Sequence, residues 1–137
     1  MPWNDDTVTA HPAPGDPRAA LLAAAREFNA GRFFEAHEAL EDALDELPDE
    51  LWSLFLGLIQ VAVGYHKTTQ PGRPGAARML EIGLEKLAPY GGDVAGIELD
   101  ELRDRARADL DALHAGRFDA DALARRPPRL IVRKAAG

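Results

Sequence analysis

Between Glu50 and Thr69 the sequence is apolar almost all the way round a helix, a pattern that belongs to an element covered on every side. Leu51, Phe55, Leu58, Ile59, Ala62 and His66 share one face at helical spacing. Ser53, Gly57, Gln60 and Gly64 share the opposite face, and small residues in that row let a neighbouring backbone come close. The helix is therefore expected at the centre of a packed domain. The longest apolar run, Leu54 to Tyr65, is interrupted by Gly57, Gln60 and Gly64. It is also shorter than the ~18 residues that a membrane span requires.

The flanking sequence supplies helices to cover that element. A first helix is expected from Asp16-Pro17, with Asp16 as N-cap, Pro17 at the first helical position and Leu21, Ala24, Ala25 and Phe28 inward. Gly31 suits a left-handed cap at its end. A second helix is expected over Phe33–Glu46, with Phe33, Ala36, Leu40, Ala43 and Leu44 inward, ending before Pro48. After the Gln70-Pro71-Gly72 turn, a fourth helix is expected over Pro74–Leu87 and a fifth over Leu99–Ala115. One further turn is expected at 120–124, followed by an extended tail through Pro127–Val132.

No segment alternates with period two, and no hairpin signal joins two β-branched runs. The fold class is accordingly all-α. The expectation is a compact bundle of about five helices, built from two packed antiparallel helical hairpins plus a C-terminal helix and the extended tail. Ala36, Leu40, Glu41 and Leu44 are echoed forty residues later by Ala76, Leu80, Glu81 and Leu84, which reads as two similar hairpins. Residues 1–15, with three of the ten prolines, read as a disordered lead-in that contains His11. Residues 16–137 read as a single helical domain, a length that buries roughly two-thirds of the surface of the unfolded chain.

Composition narrows the function classes. The absence of cysteine excludes disulfides and thiolate metal sites. The N-terminus lacks the basic and apolar regions of a signal peptide, so a cytoplasmic location is expected. A net charge of −7 argues against binding to nucleic acid, and no membrane partner is expected. The basic cluster of Arg125, Arg126, Arg129, Arg133 and Lys134 reads either as a tail strapped along its own acidic body or as a strand for a partner. No phosphate-binding glycine loop, nucleophile elbow or HExxH motif is present.

The chemistry that remains lies in Glu35-Ala36-His37-Glu38-Ala39-Leu40-Glu41 and in His66. His37 and Glu41 stand four residues apart on one helix face. Antiparallel packing of the second and third helices brings His66 toward His37, so His37, Glu41 and His66 form a candidate set for a divalent metal: zinc, iron or manganese. Glu35, Glu38 and Gln60 are candidate ligand-binding residues around it. The competing reading is a buried His–Glu network that fixes helix register. His114 reads as a cation at a helix C-terminus. Phe28, Phe33, Phe34 and Phe55 read as core, while Trp52 is left open between core and interface.

The stretch from Phe28 to Glu41, together with Gly57-Leu58-Ile59-Gln60, Ala62, His66, Gly75-Ala76 and Pro127-Pro128-Arg129, resembles the DUF309 family over roughly residues 17–133. The resemblance implies a small all-helical fold and a His/Glu motif without an established reaction, mapping onto Glu35, His37, Glu38, Glu41 and His66. Leu44 stands where the family typically has Trp. Two functional expectations follow. One is binding of a metal or small ligand, with Glu38 or Glu41 as the base if hydrolysis occurs. The other is a non-catalytic module that meets a protein partner or a second copy of itself.

Overall fold

A computed structural model describes residues 17–133, in which helix predominates. Helix α1 (Pro17–Asn29) is followed by α2 (Phe33–Glu41), α3 (Asp49–Thr68), α4 (Ala76–Leu87), α5 (Asp100–His114) and a short α6 (Ala120–Arg125). The expected N-cap Asp16, the lead-in with His11, and Lys134 lie outside the described residues. Neighbours in sequence pack on one another: α1 on α2, α2 on α3, α3 on α4 and α4 on α5. Helix α3 lies between α2 and α4, and Leu54, Phe55, Val61, Ala62 and Tyr65 on it are fully buried.

The row of small residues on α3 meets α4. A Cβ placed on Gly57 would touch Leu87 and Lys86, and one on Gly64 would touch Leu80 at both side chain and backbone. One placed on Gly83 of α4 would stand 2.9 Å from the Val61 amide nitrogen and 3.0 Å from the Gly57 carbonyl oxygen. The contacts pair 57 with 87, 61 with 83 and 64 with 80, so the two helices run antiparallel with backbones almost touching.

Two boundaries differ from expectation. Helix α2 stops at Glu41, and a single 3-10 turn at Leu44–Glu46 replaces its last turn. Four carboxylates, Glu41, Asp42, Asp45 and Glu46, gather where the helix dipole is negative, and no basic residue opposes them in the last turn of α2. The echo between the hairpins breaks there, because α4 continues through Leu84 to Leu87. Helix α4 starts at Ala76 rather than Pro74, behind a left-handed Gly75 (φ 73°).

A three-stranded antiparallel sheet is the larger departure from an all-helical expectation. It consists of β1 (Asp93–Val94), β2 (Ile97–Glu98) and β3 (Ile131–Val132), with β2 central. Ala95 and Gly96 both have positive φ, at 52° and 81°, and turn β1 into β2 in two residues. Strands of two residues are too short to show a period. The tail that provides β3 is held against the body at several points. Asn29 donates from Nδ2 to the Leu130 carbonyl (3.1 Å) and accepts from the Leu130 amide (2.6 Å). Arg133 pairs with Asp93 and Glu98, and its carbonyl accepts from Arg18. For residues 127–133 the strapped-tail reading holds.

The α3–α4 approach makes a counter-intuitive prediction. Gly83→Ala raises helix propensity by about 1 kcal/mol, yet it forces a methyl against backbone that cannot move aside, at about 1–3 kcal/mol. Urea unfolding is expected to show a net loss of stability for Gly83→Ala and a smaller one for Gly57→Ala, which meets only side chains. A stabilised Gly83→Ala variant would mean that the helices are not in close contact.

Candidate functional site

The positions of both imidazoles follow from the register of α2 on α3. Phe33 stacks on Tyr65 with ring centres 5.3 Å apart, and Phe28 of α1 meets both rings edge-on at 5.2 and 6.0 Å. With Phe33 and Tyr65 fixed inside, their successors Phe34 and His66 meet outside. The Phe34 ring lies 5.1 Å from the His66 ring and 4.8 Å from the His37 ring, touching both imidazoles. Phe34, expected in the core, is instead 45% exposed. It is the site residue that periodicity missed: it lies next to the buried Phe33, and adjacent residues on a helix diverge by about 100°.

His37 is well oriented. Its Nδ1 lies 2.5 Å from the Phe34 carbonyl oxygen, which only accepts, so Nδ1 carries the proton. Its Nε2 faces Glu41 Oε1 at 3.4 Å. The Glu41 side chain is 53% exposed, so this pair is a surface contact worth at most about 1 kcal/mol, not a buried network. His66, expected to be buried, is half-buried, and its ring nitrogens have no hydrogen-bond partner among the described residues. Glu35 and Glu38 are exposed at the rim.

Gln60 does not share this face. Six residues separate it from His66, about a third of a turn round the helix. Its Oε1 is buried without a partner among the described residues. Among those residues no three His, Asp or Glu side chains gather closely enough to hold a metal ion. His37 meets Glu41, and the Phe34 ring lies against both imidazoles.

A second polar cluster had no signal in the sequence, because its members come from helices forty residues apart. The Tyr65 hydroxyl is buried and donates to Asp109 Oδ2 at 2.6 Å. Arg105 Nε donates to the same oxygen at 2.9 Å, and Arg105 Nη2 reaches the Arg126 carbonyl at 2.7 Å. Burial first, and the Asp109 charge second, push the Tyr65 phenol well above its usual range.

Residues 21–80, from the inward face of α1 to the first turns of α4, match the model of a domain of unknown function, DUF309. Over this stretch the chain is similar to DUF309. The match holds Phe34, His37, Glu41, Gln60 and His66 and ends before β1, α5 and the tail. No curated protein and no solved structure matches the chain. No helix among the described residues is long and apolar enough to cross a membrane.

The Tyr65 cluster gives a pH dependence with a definite sign. The folded state holds the phenol proton that the unfolded chain releases near pH ~10, so stability is full below that pH and falls above it. The slope is about 1.4 kcal/mol per pH unit. Tyr65→Phe is expected to cost about 1–3 kcal/mol at neutral pH and to remove this component of the alkaline loss. Urea unfolding at pH 8 and 11 checks both; equal alkaline slopes in the two proteins would refute the assignment.

Proposed function

We propose that the stretch similar to DUF309 forms a binding domain whose site is the outer surface made by Phe34, His37 and His66. The occupant would be a small organic ligand carrying a cationic or hydrogen-bond-donating group. One observation carries the reading: a large aromatic ring stays nearly half exposed against two imidazoles, one of them without a hydrogen-bond partner among the described residues. Covering such a ring contributes about 1–2 kcal/mol, and a cation over its face adds about 0.5–1 kcal/mol. Glu35, Glu38 and Glu41 provide negative charge around it. His66 would accept from the ligand, while the His37–Phe34 bond holds the site's geometry.

The aromatic ring against both imidazoles supports an organic ligand, and no three His, Asp or Glu side chains among the described residues gather to hold a metal. The proposal places the protein in the cytoplasm and, at a net charge of −7, away from nucleic acid. A second reading, a protein-partner or homodimer surface, is favoured by Trp52, which is 44% exposed. Trp52 lies fourteen residues from His66 on α3, about 20 Å along the helix, so one small ligand cannot touch both.

Native mass spectrometry of untagged protein prepared without chelator separates these readings. The expected result is a retained small-molecule mass that is lost in Phe34→Ala and His66→Ala and kept in Trp52→Ala, with no stoichiometric zinc, iron or manganese by plasma mass spectrometry. A dimer or a co-purifying protein lost in Trp52→Ala, with no retained small molecule, would overturn the ligand reading for the interface one.

A further inference from the structure

Arg105, Arg125 and Arg126, with Ala122, line a cleft of about 520 Å³ between α5 and the C-terminal end of α6. The chain has 23 acidic against 16 basic residues, so a cleft walled by three arginines runs against the charge of the whole. Three other arginines are committed. Arg103 holds the carbonyls of Leu87, Tyr90 and Gly91, Arg32 pairs with Glu27, and Arg133 pairs with Asp93 and Glu98. Arg125 and Arg126 have no carboxylate partner for their side chains among the described residues, and both are exposed.

Their position is built rather than loose. Arg105 is fixed from behind by Asp109, which the buried Tyr65 hydroxyl holds in turn. From the front, Arg105 ties down the Arg126 carbonyl and so locks the end of α6 beside its own guanidinium. Asp109 answers Arg105, while no carboxylate among the described residues stands within ion-pair distance of Arg125 or Arg126. Screening limits the repulsion from the acidic body to about 8–10 Å, so the cleft keeps its own sign.

We propose that this cleft is a binding site for a small phosphate-bearing molecule. A carboxylate can be satisfied by one guanidinium fork. A phosphate offers three oxygens and two charges, and so can accept from Arg125 and Arg126 at once while meeting the outer edge of Arg105. The volume lies within the range of small-ligand sites and exceeds what inorganic phosphate needs, which points to an organic phosphate with its remainder against Ala122. The site lies outside the stretch that matches the DUF309 model and shares no lining residue with the Phe34 surface.

The test is a titration of protein with ¹⁵N-labelled arginine side chains, using inorganic phosphate as the probe and chloride at matched ionic strength as the control. Arg78, 73% exposed on α4, is the internal reference for non-specific ionic effects. Expected are saturable shifts of the Arg105, Arg125 and Arg126 Nε–H signals with phosphate but not chloride. In R125Q/R126Q, read at Arg105, affinity falls about tenfold or more. That variant leaves the Tyr65–Asp109–Arg105 bonds in place, so its fold is checked by unchanged urea unfolding. Shifts no larger than those of Arg78, or an affinity unchanged in R125Q/R126Q, would overturn the site.

Discussion

The close approach of α3 and α4 governs the rest of the molecule. A helix apolar on all sides needs partners on all sides, and this chain has few elements with which to cover it. With Gly57 and Gly64 on one helix and Gly83 on the other, no layer of side chains intervenes, and the Val61 amide and Gly57 carbonyl come almost within contact of the opposing backbone. That leaves the wide side of α3, with Phe55, Ile59 and Ala62, for α2. It also sets where α4 ends. Arg103 of α5 then gathers the carbonyls of Leu87, Tyr90 and Gly91, satisfying groups that the end of α4 and the following break leave open.

The C-terminal segment completes the fold by a different means. Its strand is only two residues long, and a sheet of such strands holds little by itself. What fixes it is side-chain chemistry at both ends: Asn29 with both backbone groups of Leu130, and Arg133 between two carboxylates of the β1–β2 hairpin. Leu130 and Pro128 are buried as a result. The basic residues that look like one cluster in the sequence thus divide into distinct roles. Arg133 is a structural clasp, whereas Arg125 and Arg126 face a cleft.

Much of the fold was legible because helical periodicity is written in the residues that pack. Leu21, Phe28, Leu40, Phe55, Leu80 and Leu102 all lie in the core that their spacing implies. What was not legible has identifiable causes. The end of α2 depends on carboxylates opposing a helix dipole, a term that hydrophobic spacing does not register. The sheet pairs residues 93–98 with 131–132, and its Ala95-Gly96 turn lacks the Asn or Asp that usually marks such hairpins. In the candidate site, His37 beside Glu41 follows from a spacing of four, and the nearness of His66 follows from antiparallel packing. The exposed Phe34 ring against the imidazoles depends on which of two adjacent phenylalanines turns inward, and both readings satisfy the apolar pattern.

Phe33-Phe34 on α2 and Tyr65-His66 on α3 are two dipeptides in register, each with one ring inside and one outside. The inner contact, Phe33 on Tyr65, is pinned by Phe28 and by the Tyr65–Asp109 bond. The outer contact, Phe34 on His66, inherits its geometry from the inner one, since neither residue can shift without its neighbour. The Tyr65 hydroxyl meanwhile holds the carboxylate that holds Arg105, a wall of the arginine cleft. A single buried phenol therefore braces two surfaces on different elements, the ring on one side and the hydroxyl on the other. A phenylalanine would fill the same space without the cost of burying a hydroxyl, but it would take the donor away from Asp109 and leave only the ring's contacts with Phe33 and Phe28.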